Sequence, residues 1–207
     1  MSLVEMMGVD QDTTQKIDGV INALVTDTKD PEKLGRVKVT IPLLNNMETD
    51  FIRICSFYSG KNRGAFFMPA KGDEVLIAFG QGNINQPYVI GCLWNGVDKP
   101  PVKPADMDKV REIRTNSGQV VRFEEQSNER ITITDAKNNQ VVIDTKKGSI
   151  NIKCSKNMDI TSTGGTVTVK GKTIKINASS SMSLDASSIN IKAKGTLNLK
   201  GARINLN

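Results

Sequence analysis

The side chains that could carry acid, base or metal chemistry are sparse in this sequence and poorly arranged for it. The 207 residues contain no histidine, which excludes a Ser-His-Asp triad, a Cys-His pair and histidine-based metal sites. A glycosidase needs two carboxylates that face each other across a cleft, whereas adjacent residues of a strand point to opposite faces. We therefore predict no catalytic residue and interpret three close carboxylate pairs as surface charge: Asp10/Asp12, Asp73/Glu74 and Glu124/Glu125.

The cysteine and glycine motifs are equally unspecific. Cys55, Cys92 and Cys154 are odd in number and far apart, a pattern that favours small buried hydrophobic residues in a reducing compartment over disulfides or a zinc site. Gly80–Gly82 falls between two predicted strands and not ahead of a helix, so it indicates a hairpin turn and not a phosphate-binding loop. We expect no metal ion and no cofactor.

Residues 17–97 have the pattern of a small all-β domain. Five alternating runs are separated by turn-rich pieces, and no segment has a helical period; the runs are 20–25, 35–41, 51–55, 74–79 and 88–93. Five short strands in about 80 residues indicate a closed barrel of the OB or SH3-like type. Residues 1–16 are polar with no sustained period and predict a flexible arm or a docking segment. Residues 98–112 contain three prolines and predict a stiff linker.

The segment 113–207 predicts a long series of short strands. Over its last sixty residues, apolar residues occur in pairs two apart, repeated every seven to nine residues. Two positions after nearly every pair comes a small side chain, which predicts a crowded corner. We predict that these pairs form the core of a spike: Ile150/Ile152, Val167/Val169, Ile174/Ile176, Met182/Leu184, Ile189/Ile191 and Leu197/Leu199, with Met158/Ile160 and Ile204/Leu206 in the same series.

One chain cannot complete such a structure, because a single-chain solenoid of this length would have fewer than three coils and no cap. Three chains, each supplying one face of a triangular prism, would bury every pair and would leave no lateral strand edge. The pattern therefore predicts an intertwined, triple-stranded β-helix in a homotrimer.

The charge distribution supports a spike better than a nucleic-acid groove. Residues 1–97 carry 9 basic and 11 acidic side chains, whereas residues 98–207 carry 19 and 11. Many lysines of the repeat alternate with apolar residues, so they predict a solvated outer face. The aromatic cluster Phe57, Tyr58, Phe66 and Phe67 lies in the slightly acidic part and is interpreted as core packing or trimer contact. An OB-fold nucleic-acid-binding module stays open as an alternative.

Four ordered stretches resemble the OB-fold domain of a spike family that includes phage baseplate assembly protein V and the type VI secretion protein VgrG. They are residues 26–39, 63–69, 72–79 and 87–96, and residues 113–118 resemble the start of the β-helix that follows. The resemblance implies a homotrimeric, non-enzymatic central spike under the hub of a contractile tail or injection system, which pierces the target cell envelope. A receptor-binding trimeric tail fibre is the other alternative, and an enzyme-delivering spike ranks after it.

The resemblance also implies partners. The large N-terminal hub half of a full VgrG is absent, so we expect a separate hub protein at the OB-fold end. Without histidine the chain lacks the ligands of an iron-bound tip, so we expect a PAAR-type tip protein to contact Ile204, Asn205, Leu206 and Asn207. The N-terminus has no signal-peptide pattern and no stretch approaches 18 apolar residues, so we expect synthesis in the bacterial cytoplasm and assembly into the baseplate of a tail or extracellular particle.

Overall fold

The computed structural model describes residues 16–205, which form two units, 16–156 and 157–205. Across these residues there is no α-helix, and four 3-10 turns occur at Pro42–Leu44, Gly80–Gly82, Pro104–Asp106 and Gln126–Asn128. No helix in this range is long and apolar enough to cross a membrane. The predicted arm lies outside the described residues except for Lys16. The all-β prediction is confirmed.

Residues 20–92 contain eight strands. They are β1 (Val20–Asp27), β2 (Lys38–Ile41), β3 (Met47–Glu48), β4 (Arg53–Ile54), β5 (Ser59–Gly60), β6 (Arg63–Gly64), β7 (Glu74–Phe79) and β8 (Pro87–Cys92). Six of them form one sheet in the order β3-β2-β1-β7-β8-β4, and β5 pairs with β6 as a separate hairpin. All pairs are antiparallel except β4 with β8.

The six-stranded sheet closes on itself. Val37, just before β2, and Ile52, just before β4, exchange both backbone hydrogen bonds at 3.1 and 2.8 Å. This bridge joins β2 to β4 and so closes a five-stranded ring of β1, β2, β4, β8 and β7, with β3 outside it. Register shifts in β1 after Val25 and in β7 after Leu76 bend the strands, as bulges do where a sheet curls. The ring order and its single parallel pair are those of an OB fold, which confirms the predicted barrel.

The barrel core is built almost entirely from β-branched aliphatic side chains. In β7 every second residue points inward, so Val75, Ile77 and Phe79 are buried. The same alternation in the other strands gives a core that also contains Ile21, Ala23, Val25, Val37, Val39, Ile41, Ile52 and Val89. Each fully buried aliphatic side chain contributes about 1.5–3 kcal/mol. Phe79 is the one aromatic residue among them, which accords with the low aromatic content of the chain.

The predicted strands lie in the right places but differ at their ends. The run 74–79 coincides with β7, whereas the run 35–41 is strand only from Lys38, and 51–55 only at β4. The turn-rich piece 59–64 contains the β5–β6 hairpin, which the sequence interpretation missed because its glycines and polar residues have no apolar alternation. Gly80–Gly82 does turn the chain between antiparallel β7 and β8.

A second sheet follows, made of β9 (Val110–Arg114), β10 (Val120–Glu124), β11 (Arg130–Thr134), β12 (Gln140–Asp144) and β13 (Ser149–Lys153). It is an antiparallel meander in chain order. The predicted boundary between linker and spike, 112/113, falls inside β9. The start of β9 was missed because its alternate residues Glu112 and Arg114 are charged, so the strand lacks a run of apolar side chains.

Residues 157–205 contain no strand ladder within the chain. The large apolar side chains of the repeat are all exposed in this unit, with the first member of each complete pair less exposed than the second. A strand needs a neighbour to satisfy its backbone donors and acceptors, and this unit supplies none of its own.

One carboxylate organises the loop between β1 and β2. The Asp30 side chain is only 3% exposed and accepts hydrogen bonds from the backbone N–H groups of Glu32 and Leu34 at 3.1 and 2.9 Å. The Arg36 guanidinium donates to both Asp30 oxygens, at 3.0 and 2.8 Å. The Arg36 contact, helped by the backbone donors and opposed by burial, holds the pKa of Asp30 well below its ordinary value of 3.8.

We expect Asp30→Asn to lower the unfolding temperature of the chain, and to do so most strongly at neutral pH. Because the pKa of Asp30 is lower in the folded than in the unfolded state, its stabilisation is full above about pH 5, starts to decline near pH 4 and is lost gradually as the pH falls towards the folded-state pKa. The measurement is thermal unfolding of both proteins between pH 7 and pH 2.

Glu32→Gln is the matched control, since Glu32 contacts the same Arg36 at 3.0 Å but is mostly exposed. Its unfolding temperature should stay close to that of the unsubstituted chain at every pH. If the unfolding temperatures of Asp30→Asn and the unsubstituted chain differ as much at pH 2 as at pH 7, the charge of Asp30 is not the cause of the difference.

Candidate assembly interface

The second sheet has one face that is apolar across all five strands. Cross-strand pairing aligns Ile113, Val121, Ile133, Val141 and Ile152 in one row. The neighbouring row on the same face aligns Phe123, Ile131, Ile143 and Ile150, and ends at Arg111. The nine apolar side chains of the two rows are called the apolar face below.

The apolar face is largely open to solvent in the single chain. Ile133 is 51% exposed, Ile152 is 62% exposed, and Ile113, Phe123, Ile143 and Ile150 are exposed as well. A shallow depression of about 500 Å³ lies over the first row. Because soluble chains rarely leave so large a contiguous apolar surface uncovered, this face is an interface candidate.

The opposite face of the same sheet carries an ion-pair ladder. Glu112 accepts hydrogen bonds from Arg114 at 2.7 Å and from Arg122 at 2.9 Å. Glu124 accepts from Arg122 at 3.3 Å and also from Arg130. The ladder therefore links β9, β10 and β11 with alternating charges, in which partly exposed arginines cover the two glutamates.

The two glutamates of the ladder are stabilised in their charged form. Burial would raise the pKa of Glu112, whose side chain is 0% exposed, but the hydrogen bonds from Arg114 and Arg122 outweigh burial and lower it. The Arg130 contact lowers the pKa of Glu124. A general acid at neutral pH needs a raised pKa, so these two groups are suited to holding strands together and not to giving up a proton.

The predicted core residues of the spike are only partly brought together. The structure places Ile150 and Ile152 on the apolar face, beside Ile143 and Val141. The other ten predicted core residues lie in the unit 157–205 with their side chains exposed: Val167, Val169, Ile174, Ile176, Met182, Leu184, Ile189, Ile191, Leu197 and Leu199. Ile204 and Asn205 are exposed too, whereas Leu206 and Asn207 lie outside the described residues.

The remaining carboxylate candidates have local structural roles. Glu74 accepts hydrogen bonds from Asn22 at 2.7 Å and Asn95 at 2.8 Å, and Asp73 accepts one from the Ala70 backbone at 2.8 Å. Glu125 lies 3.9 Å from Arg111. Asp10 and Asp12 are outside the described range. Among residues 16–205 no group of three or more Cys, Asp or Glu side chains could hold a metal ion.

The expectation that the cysteines are buried is wrong, and so is core packing as an explanation of the aromatic cluster, whereas a trimer contact of that cluster stays a prediction. Cys55 and Cys92 are exposed in the chain, and Cys154 is half-buried, with all three thiols free. Phe57, Tyr58, Phe66 and Phe67 do not pack in the barrel core but are exposed around the β5–β6 hairpin. In both cases the side chains belong to segments that leave the barrel or lie on its outer surface, a placement that local sequence does not reveal.

Three basic residues of the barrel are engaged by neighbouring side chains. Arg36 is held by Asp30, and Arg53 donates to the Tyr88 hydroxyl at 2.9 Å with its guanidinium 4.9 Å from that ring. Lys38 lies 5.3 Å over the ring of Phe51. A single-stranded nucleic acid needs basic side chains beside free aromatic faces, and these three residues do not supply them.

The sequence interpretation missed the ion-pair ladder and the two-faced character of the second sheet. The signal was present in the alternation of Glu112 with Arg114, and of Arg122 with Glu124. The ladder can be predicted from these residues only once the register of β9, β10 and β11 is known, because the register decides which charged side chains are neighbours.

We expect Glu112→Gln to lower the free energy of unfolding by about 1–3 kcal/mol, because it removes charge-assisted bonds to two arginines at a site closed to water. The measurement is denaturant unfolding of the full chain. Glu129→Gln, at an exposed position of the neighbouring loop, is the control and should have an effect within about 0.5 kcal/mol. Equal losses in the two variants would contradict a role for the ladder.

Comparison with known proteins places the barrel in a family. Residues 21–94 match the family model described as the Type VI secretion system/phage-baseplate injector OB domain. That range begins in β1 and ends two residues after β8, so it covers the closed ring described above.

Full-length relatives are spike proteins of type VI secretion. The chain is 30% identical over 95 residues to spike protein VgrG5 of Pseudomonas aeruginosa, an alignment that covers 42% of this chain and 12% of the relative. It is 28% identical over 137 residues to VgrG1b of the same species, covering 62% and 17%. It is 26% identical over 121 residues to a Vibrio cholerae protein named actin cross-linking toxin VgrG1, covering 54% and 11%.

The chain thus spans less than a fifth of the length of these relatives. The family model nevertheless covers residues 21–94, which contain the closed ring of the barrel from the second residue of β1 to the end of β8. Residues 21–94 therefore match an injector OB domain of the Type VI secretion system and phage-baseplate kind, and the chain is similar to VgrG spike proteins over the aligned part.

Proposed function

We propose that the protein is the central spike of a contractile tail or injection particle, and that it works as a homotrimer without catalytic activity. The observation that carries the proposal is the apolar face, which has nine apolar side chains in two rows across five strands. It lies on a chain whose barrel matches an injector OB domain. The apolar pairs of the unit 157–205 are exposed as well, and they extend the series of exposed apolar side chains toward the C-terminus.

Three copies suit these features better than two. Two copies could cover the apolar faces of their sheets by stacking them, but the extended unit 157–205 needs neighbours on both edges of every strand. Three strands per layer, each forming one side of a triangular prism, supply both neighbours and turn the apolar pairs inward. The ion-pair ladder then lies on the outer side of the sheet, where its three arginines pair the two glutamates.

In the proposed particle, residues 17–97 form a collar and residues 113–207 form the spike, joined by the proline-containing segment 98–112. A separate hub protein binds the OB-fold end. The chain is made in the bacterial cytoplasm and joins a baseplate, and the spike pierces the target envelope when the sheath contracts. Its function in this proposal is mechanical, so rigidity and protected strand edges are what the sequence must provide.

The trimer is tested by placing a charge on either face of one strand. Ile133→Asp puts a carboxylate into the apolar face, whereas Thr132→Asp puts the same side chain on the opposite face, beside Arg122. We expect native mass spectrometry to find the unsubstituted chain and Thr132→Asp at three times the 22.6 kDa chain mass, and Ile133→Asp as monomer.

A monomeric unsubstituted chain at micromolar concentration would overturn the spike proposal. A trimer disrupted by Thr132→Asp but not by Ile133→Asp would place the interface on the other face. Electron microscopy of the assembled particle then separates a spike, which lies on the tail axis, from a receptor-binding fibre, which does not.

We further propose that a PAAR-type tip protein binds the C-terminal end at Ile204, Asn205, Leu206 and Asn207. The support is the exposed Ile204 side chain at the end of the apolar series. Ile204→Asp should abolish co-purification of the tip protein. Asn205→Asp adds the same charge at the next position, which the two-residue periodicity of a strand turns outward, so this variant should still co-purify with the tip protein. A trimeric structure of this chain that closes its own apex around a metal ion would contradict the proposal.

A further inference from the structure

The β5–β6 hairpin presents an aromatic surface that the barrel does not cover. Phe57 is 86% exposed and Phe66 is 77% exposed, with Tyr58, Phe67 and Leu34 also exposed beside them. Together with Ile54, Cys55 and Met68 they line a cavity of about 400 Å³. These residues are called the hairpin surface below.

The hairpin surface is held in place by its own backbone contacts. The Ala65 N–H donates to the Tyr58 carbonyl at 2.8 Å, and Ser56 Oγ lies 2.7 Å from the Ala65 carbonyl. A side chain at Gly64 would come within 2.8 Å of the Tyr58 carbonyl, so only glycine allows this close approach. Phe66 lies against Gly35, where a Cβ would stand 3.3 Å from its ring. The aromatic groups are therefore positioned and not simply loose.

The hairpin surface is also positive on a domain that is otherwise slightly acidic. Residues 51–72 contain Arg53, Lys61, Arg63 and Lys71 and no acidic residue. Lys61 and Arg63 flank the hairpin turn itself, and no ion pair within residues 16–205 engages them. A matching occupant would be acidic and would offer flexible apolar side chains to the rings.

The N-terminal segment of the same chain has this chemistry. Residues 1–15 contain Glu5, Asp10 and Asp12 and no basic side chain, and among their apolar residues are Leu3, Met6 and Met7. Methionine makes favourable sulfur–aromatic contacts, and its unbranched side chain adapts to irregular gaps. We propose that residues 3–12 dock on the hairpin surface of their own chain, with Met6 and Met7 against Phe57 and Phe66 and the acidic residues toward Lys61 and Arg63.

The length of the segment permits this contact. It joins the barrel at Lys16, which bridges to Asn83, and at Ile17, whose N–H donates to the Gly82 carbonyl at 2.9 Å. Ten residues from Lys16 back to Met6 span up to about 33–36 Å when extended. A domain of about 80 residues has a radius of gyration of about 12 Å, so any point on its barrel is within reach.

The larger groove of the barrel fits the segment less well. That groove, of about 960 Å³, is lined by Met47, Glu48, Asp50 and Phe51 among others. Its two acidic residues would repel Glu5, Asp10 and Asp12. Both arginines of its lining are engaged, Arg36 by Asp30 and Arg53 by Tyr88. Charge therefore favours the hairpin surface, where Lys61 and Arg63 form no ion pair within residues 16–205.

Cross-linking tests the contact directly, because the exposed native Cys55 lines the hairpin surface. In Met6→Cys, mild oxidation should form a disulfide to Cys55 within one chain, about tenfold faster than to Cys154 of the second sheet, since the docked segment has a high effective concentration at Cys55. Non-reducing electrophoresis and peptide mass mapping identify the partner. A product between two chains, or equal rates to Cys55 and Cys154, would overturn docking on the same chain.

Methyl NMR spectroscopy of the full chain tests the same contact without new cysteines. With labelled methionines, the Met6 and Met7 methyl signals should shift upfield of free methionine because of the aromatic rings. The shift should vanish in Phe57→Ala and shrink in a Lys61→Glu, Arg63→Glu double variant.

The charge-matched control is Lys103→Glu with Lys137→Glu, which makes the same charge change outside the barrel and should leave the shift unchanged. Unshifted methyl signals in the unsubstituted chain would overturn the proposal. If Phe57→Ala instead leaves those signals unchanged and weakens binding of a hub protein, the hairpin surface belongs to that partner. None of these outcomes depends on the chain being a trimeric spike.

Discussion

Alternation in the second sheet sets a constraint that the chain cannot satisfy alone. Successive side chains of a strand point to opposite faces, so the register that pairs Ile133 with Val121 and Val141 gathers nine of the large apolar residues of the meander on one side. Shifting any strand by one residue would bring charged groups into that side and break the ion-pair ladder. The register is therefore fixed by both faces at once, and it leaves an apolar surface that something else must cover.

The ladder on the other face explains how such a sheet stays soluble and ordered before it is covered. Glu112 is enclosed by Arg114 and Arg122, and Glu124 by Arg122 and Arg130, so three adjacent strands share alternating charges. Isolated surface ion pairs contribute little, but bonds to a carboxylate closed to water contribute more. The same charges disfavour sideways association through this face, so association is directed to the apolar one.

Sequence reasoning succeeded where one local rule decides the structure. Apolar alternation located β7 to the residue, and turn residues located Gly80–Gly82. It failed where the outcome depends on which segments meet in space. The strand start at Val110 is hidden by charged neighbours, the β5–β6 hairpin has no apolar signal, and the exposure of Cys55 and Phe57 follows from their position outside the ring. The ladder likewise needs the register, which no single strand encodes.

The share of strand edges that pair within the chain falls from the barrel to the second sheet and is zero in residues 157–205. The barrel closes through the bridge of Val37 with Ile52 and pairs each strand of the ring on both sides. The second sheet pairs its three inner strands but leaves β9 and β13 with open edges. Residues 157–205 pair none of their own backbone in a ladder. Ordering each residue costs about 1–2 kcal/mol in backbone entropy. The barrel has strand ladders and a buried core that offset this cost, whereas residues 157–205 form no ladder of their own. In the proposed spike, assembly and the folding of this unit are therefore the same event, and the collar is the part that exists first to bring the copies together.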